Sequence, residues 1–377
     1  MQGEKILYLE SLRGLAAIAV TLFHAHFAIN SPLANNTFVA NSDLMVDFFF
    51  VLSGFVIAYN YETKITCFKS LCIFQAKRFL RLYPLHFVTL ILFLFIELAK
   101  YAFEQKTGIK AYNAAFSSND LGAFLNNIFL TQALFEQNLT FNTPSWSIST
   151  EFYTYAVFGI LLILFQSRRS KIIVNALIIV TAAITLHITN TAGAMTGFAI
   201  IRCIYAFYLG YVVYLVGRRL APKIPGSVGT ILLIGSAVAV TFKGDFPLIL
   251  FPLLFSATIL ALFRSGPTLP KAILCNRQLV FLGTISYGIY MWHNFAWWTI
   301  TQILRFVLHF PIAKNPETGK DFLNVDAVTS SIMIVVGLIV VLILSWLSYK
   351  YIERPINDLR HHLKGDRKAA DLKAGTT

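Results

Sequence analysis

Arg13 and His24 stand eleven residues apart in an otherwise apolar stretch, Glu10 to His26. At 100° per residue the two side chains return to nearly the same helix face, about 16 Å apart in depth. An arginine at one end of a membrane helix face and an imidazole high on the same face suggest a track between two aqueous compartments. Ionisable groups within a span are expensive and mark function. Four more follow: Asp47, Glu151, Arg202 and His293, each inside a predicted span. A carboxylate beside an imidazole is the arrangement that orients the ring and raises its basicity, as a general base requires. A second motif, Arg78-Phe-Leu-Arg81, puts two guanidiniums three residues apart on one helix face, spaced for a phosphate or diphosphate. The same pair could also serve as a positive-inside anchor against lipid headgroups.

The chain that must position these groups has 377 residues, 56% hydrophobic and 13% charged, with apolar runs of about twenty residues. This is an all-α polytopic membrane protein in expectation. About ten transmembrane helices are predicted, near 11–29, 44–60, 82–99, 146–166, 172–189, 198–216, 227–242, 247–264, 279–304 and 328–348. The net charge of +13 does not point to nucleic acid, because Lys and Arg cluster between the spans. With the N-terminus inside, 23 Lys and Arg fall in inner segments and 7 in outer loops, so both termini are placed in the cytosol. The first apolar segment is not read as a signal peptide, since it carries Arg13 and His24 and nine further spans follow. One transmembrane domain, 1–360, is expected, with 361–377 as a disordered basic tail. The four cysteines, at 67, 72, 203 and 275, imply neither disulfides nor zinc.

The antiparallel threading gives these polar residues a common depth. His24 comes late in an outward span, Asp47, Glu151 and Arg202 early in inward-running spans, and His293 past the middle of another outward span. All five fall in the outer half, as a shared buried site or an ion-pair network requires. Asp47 with Arg202 also reads as a structural salt bridge. Trp146, Tyr287, Tyr290 and Trp292 read as aromatic-belt residues, and Ser53 with Gly54 as a close-packing seam. The apolar patch Leu121 to Leu134, in the long outer loop 100–145, is expected to lie along the interface.

Several stretches, in order and through nearly the whole chain, resemble the membrane-bound acyltransferase-3 family of bacterial O-acyltransferases. Leu12-Arg13-Gly14-Leu15-Ala16, with His24, is similar to its arginine-to-histidine signature, and Val46-Asp47-Phe48 through Ser53-Gly54-Phe55 to its second motif. Arg78-Phe-Leu-Arg81, Trp146-Ser147 with Glu151-Phe152-Tyr153, Ile285 to Tyr290 with His293, and Tyr351-Ile352-Glu353-Arg354-Pro355 resemble the later ones. Glu10-Ser11, Met45 and Asn294 depart from its pattern without removing an ionisable group. The resemblance stops at 377, without the extracytoplasmic domain that some members carry. It implies acyl transfer, acetyl most commonly, from cytosolic acyl-CoA to a hydroxyl of a cell-surface carbohydrate or glycolipid, in the bacterial cytoplasmic membrane and with no metal. His24 would take the hydroxyl proton or carry the acyl group, oriented by Asp47 or Glu151, with His293 in the same site. Arg202 would neutralise the carboxylates or hold the oxyanion, Arg78 and Arg81 would hold the CoA phosphates, and Arg13 would steer the cofactor from below. Two other classes fit the buried charges: a transporter or flippase for a lipid-linked sugar or anion, and a non-catalytic membrane partner in glycan assembly.

Overall fold

The computed structural model describes residues 6–110, 113–219, 224–314 and 321–362. The basic tail beyond 362 lies outside these residues.

Helices occupy every window in which a span was predicted. They are α1 (Leu7–His26), α2 (Met45–Tyr61), α3 (Phe68–Thr107), the short outer helix α4 (Leu121–Ile128), α5 (Trp146–Leu164), α6 (Arg168–Ile188), α7 (Ala199–Gly217), α8 (Gly226–Thr241), α9 (Leu250–Arg264), α10 (Arg277–Thr284), α11 (Ser286–Phe306) and α12 (Ala327–Ser348). Among the described residues, six helical segments are long and apolar enough to cross a membrane. The fold is therefore all-α and polytopic. Neither α1 nor α11 is among those six, although both are long enough. These two carry the histidines, and polar side chains dilute their hydropathy.

Two boundaries differ from the sequence reading. The helical segment bearing Arg78 and Arg81 is continuous with the span it precedes: α3 runs unbroken for 40 residues, about 60 Å, straight through Pro84. A proline removes one helix hydrogen bond, here the one to the Leu80 carbonyl, and is tolerated in a membrane helix packed against neighbours; close by, Tyr287 donates to the Leu82 carbonyl. The predicted span 279–304 breaks at Ile285, where Ser286 donates to the Gly283 carbonyl at 2.8 Å. The cause is a close crossing of α10 under α1, since a Cβ on Gly283 would fall 2.0 Å from the Glu10 carbonyl oxygen. The helices α8 and α9 are only 16 and 15 residues long, and pair through Ser236 and Thr258 at 2.8 Å. A two-stranded antiparallel ribbon, β1 (Ile312–Lys314) with β2 (Asp321–Leu323), was not foreseen; it closes against Ile29 at the end of α1.

The core is a bundle in which α2 and α7 lie backbone to backbone. A Cβ on Gly54 would stand 1.9 Å from the Phe207 carbonyl oxygen, and one on Gly210 1.9 Å from that of Val51. Small residues at such a seam are what let membrane helices approach closely. On the other side α1, α11 and α12 form a three-helix contact. Trp297, buried on α11, donates to the Thr21 carbonyl at 2.9 Å and packs over Gly337 of α12. That contact holds the C-terminal end of α1 against α11. The helix α4 is capped by the Asp120 side chain and leaves Leu121, Leu125 and Phe129 exposed, an apolar stripe suited to the membrane interface expected for it.

Candidate functional site

The two histidines meet. His24, three residues past Thr21, has its ring centroid 4.6 Å from that of His293, the planes tilted by 51°. His24 Nδ1 lies 2.9 Å from the Val20 carbonyl, one helical turn below. A carbonyl can only accept, so Nδ1 carries the proton and Nε2 presents a lone pair. The ring is part-buried, with Phe23 packed edge-on at 5.0 Å. His293 is fully buried, and among the described residues no group makes a hydrogen bond of ordinary geometry with either of its ring nitrogens. Thus the fold sets one oriented imidazole beside a second that is buried.

The carboxylates do something other than orient these rings. Asp47 forms a fork with Arg202: Nε and Nη2 donate to its two oxygens at 2.8 Å each, with both side chains almost wholly buried. Nη1 of Arg202 donates to the Ala194 carbonyl at 3.2 Å, and the guanidinium stacks over buried Trp146. Asp47 is thereby bound to Arg202, and the expectation that it orients His24 gives way to the Val20 carbonyl in that role. The physical reason is helix phase. Gly54 lies two turns along α2 from Asp47, on the same face, and that face is pressed on α7. Trp146 is likewise a buried partner of Arg202 rather than a belt residue.

Glu151 stands apart from both groups. It lines a cavity of about 190 Å³ together with Arg13, Arg78, Arg81, Ser147, Tyr287 and Tyr290. The arginines form one end of it. Arg78 donates to the Tyr61 hydroxyl at 3.3 Å and lies over the Tyr61 and Phe74 rings. Arg13 pairs loosely with Glu10, at 3.6 Å. Arg81 donates to Glu353 at 2.6 Å and lies over the Tyr287 ring. The cavity is also lined by Tyr290, whose hydroxyl donates to the Pro144 carbonyl at 2.9 Å and sits 2.8 Å from Ser147 Oγ. The Tyr290 ring also meets that of His293, centroids 5.7 Å apart. Tyr290 therefore touches both the arginine cavity and the histidine pair.

Of the residues singled out from sequence, the structure brings His24 to His293, Asp47 to Arg202, and Arg13, Arg78, Arg81 and Glu151 to one cavity. It does not unite the five outer polar residues in one cluster. Sequence reasoning named Glu353 only within the closing stretch Tyr351 to Pro355 and gave it no role. It also gave Tyr287, Tyr290 and Trp292 to the aromatic belt; Tyr290 and Trp292 are buried, and both tyrosines line the cavity.

A family model described as "Acyltransferase domain" matches residues 6–350. The BcsY protein of Komagataeibacter xylinus, whose name assigns it as a membrane-bound transacylase, is 23% identical over 364 residues, 92% of this chain and 81% of its own. Acyltransferase MdmB of Streptomyces mycarofaciens is 26% identical over 62% of this chain and 63% of its own. Protein 2 in the picA locus of Rhizobium radiobacter is 31% identical over 41% of this chain and 82% of its own. No solved structure gives a significant match.

Proposed function

The chain belongs to the acyltransferase-domain family that its residues 6–350 match, and from that premise we propose that it is a membrane O-acyltransferase. It moves an acyl group, acetyl in the simplest case, from cytosolic acyl-CoA to a hydroxyl of a cell-surface or lipid-linked carbohydrate. It does so in a bacterial cytoplasmic membrane, with both its termini in the cytosol.

The observation that carries this reading is the 2.9 Å contact of His24 Nδ1 with the Val20 carbonyl. With Nδ1 committed to the Val20 carbonyl, Nε2 is free to accept the proton of an incoming hydroxyl. The acceptor oxygen attacks the thioester carbonyl, the new C–O bond forms and the C–S bond breaks. Nε2 then returns the proton to the departing thiolate, so protons and charge balance. The neighbouring ring of His293 offers a lone pair that steadies the transient imidazolium. Arg202, committed to Asp47, acts on the scaffold rather than on the oxyanion.

The donor enters from the arginine side. A cavity of about 190 Å³ is smaller than the usual pocket for a drug-sized molecule. It suits the thioester arm, while the nucleotide stays at the cytosolic mouth with its phosphates on Arg78 and Arg81. Tyr290 must then yield for the thioester to reach His24.

The test is transfer of radiolabelled acetyl from acetyl-CoA in membranes carrying the wild-type chain or His24→Ala, counted in total glycan. Loss of a positioned general base costs about 10²- to 10⁴-fold, so label enters glycan with the wild type alone. Equal label with both, above a vector control, removes His24 from the reaction.

A further inference from the structure

We propose that Glu353 is the positioning residue of the donor site: its ion pair with Arg81 fixes the guanidinium that grips the donor's phosphates. This rests on the acyl-CoA reading above and goes beyond it, because it ties the last helix of the fold to the cofactor-binding fork.

The two arginines are held by different means. Arg78 is steadied by the hydroxyl and ring of Tyr61 and the ring of Phe74. Arg81 is held by charge, with Nη1 2.6 Å from Glu353 Oε2 and the guanidinium over Tyr287. One of its five N–H groups serves Glu353, and its side chain keeps some exposure toward the cavity it lines. Glu353 itself is buried, and its other oxygen, Oε1, has no hydrogen bond among the described residues. A carboxylate kept so far out of water is a costly way to secure a helix end. Apolar residues of the same size would commonly hold it as well or better, so its placement points to work on Arg81.

The backbone delivers it by an unusual turn. After α12 the chain takes a π-helical turn over Tyr349–Glu353, a widened geometry frequent at functional sites. The approach is fixed one element earlier, where a Cβ on Gly288 of α11 would lie 3.0 Å from the Ser345 Cα of α12. Together, the close α11–α12 crossing and the π turn bring Glu353 across to α3.

Binding of CoA itself, measured on the purified full chain in detergent, tests this without knowledge of the acceptor. Displacement of labelled CoA is compared for unlabelled CoA and for pantetheine, which lacks the phosphates, in the wild type, Glu353→Gln and Glu353→Asp. Losing one charge-assisted contact geometry corresponds to about a tenfold change. Glu353→Gln is expected to weaken CoA about that much, leave pantetheine unchanged, and be partly rescued by Glu353→Asp, all with a wild-type size-exclusion profile. CoA binding unchanged in Glu353→Gln overturns the proposal, as does a parallel loss of CoA and pantetheine, which marks Glu353 as scaffold only. Absence of CoA binding in the wild type overturns the donor reading, and this inference with it.

Discussion

Replacing Asp47 by Asn separates a structural fork from a catalytic carboxylate. In the wild type both groups are nearly excluded from solvent and joined by two bonds of 2.8 Å. The substitution keeps the shape and removes the charge, leaving the Arg202 guanidinium buried without its counter-ion. Breaking such a pair costs about 3–5 kcal/mol. With an unfolding entropy of roughly 2.1 cal/mol/K per residue, a chain of this length loses about 0.8 kcal/mol per degree near its midpoint. The expected fall in melting temperature is therefore about 4–6 °C, read by tryptophan fluorescence of the detergent-solubilised protein. The paired change Asp47→Leu with Arg202→Met should recover most of it, since an apolar pair pays no desolvation. Acetyl transfer per folded molecule, measured well below the transition, should stay within about tenfold of the wild type, far from the loss expected for a removed general base. An unchanged melting temperature refutes the reasoning, as does a loss of transfer as deep as that of His24→Ala.

Two further outcomes follow from particular contacts. Asp326 caps α12 through the Val328 and Thr329 amides at 3.0 Å, and hydrogen bonding from Thr329 holds its carboxyl below the usual carboxylate range. A depressed carboxylate stabilises the folded state above its unfolded value of 3.8 and loses that contribution as pH falls through its folded one. Asp326→Ala should therefore lower the melting temperature at pH 7, with the gap to wild type shrinking at pH 3 in parallel circular dichroism melts. Tyr290→Phe removes the hydroxyl that bonds Pro144 and Ser147 and so loosens the ring that touches both the cavity and His293. Since Tyr290 must yield before the thioester reaches His24, loosening it is expected to keep or raise kcat, with the KM for acyl-CoA nearly unchanged in steady-state transfer assays; a fall in kcat refutes the gating role.

Position along each helix could be read from the sequence, but direction around each helix could not be read as easily. Chain direction and the spacing of apolar runs fix how far along its span each polar residue sits, and His24 and His293, on helices reached 269 residues apart, do meet. The arginines follow the same logic: a spacing of three put Arg78 and Arg81 on one face, and both line the cavity. Sharing a depth does not make residues neighbours, however, and here the outer polar set divides into an imidazole pair, an ion-pair fork and a cavity carboxylate. What divides it is which helix each face meets. For Asp47 that information was present in Gly54, seven residues on and hence on the same face, because a glycine seam marks the side on which another helix will lie. Glu353 had no such marker. Its contact with Arg81 spans 272 residues and depends on a π turn and on the glycine crossing of α11 and α12, features set by tertiary packing. In a membrane helix bundle, then, small residues deserve to be read together with the charged ones: the charges say what chemistry is possible, and the glycines say which charges can reach one another.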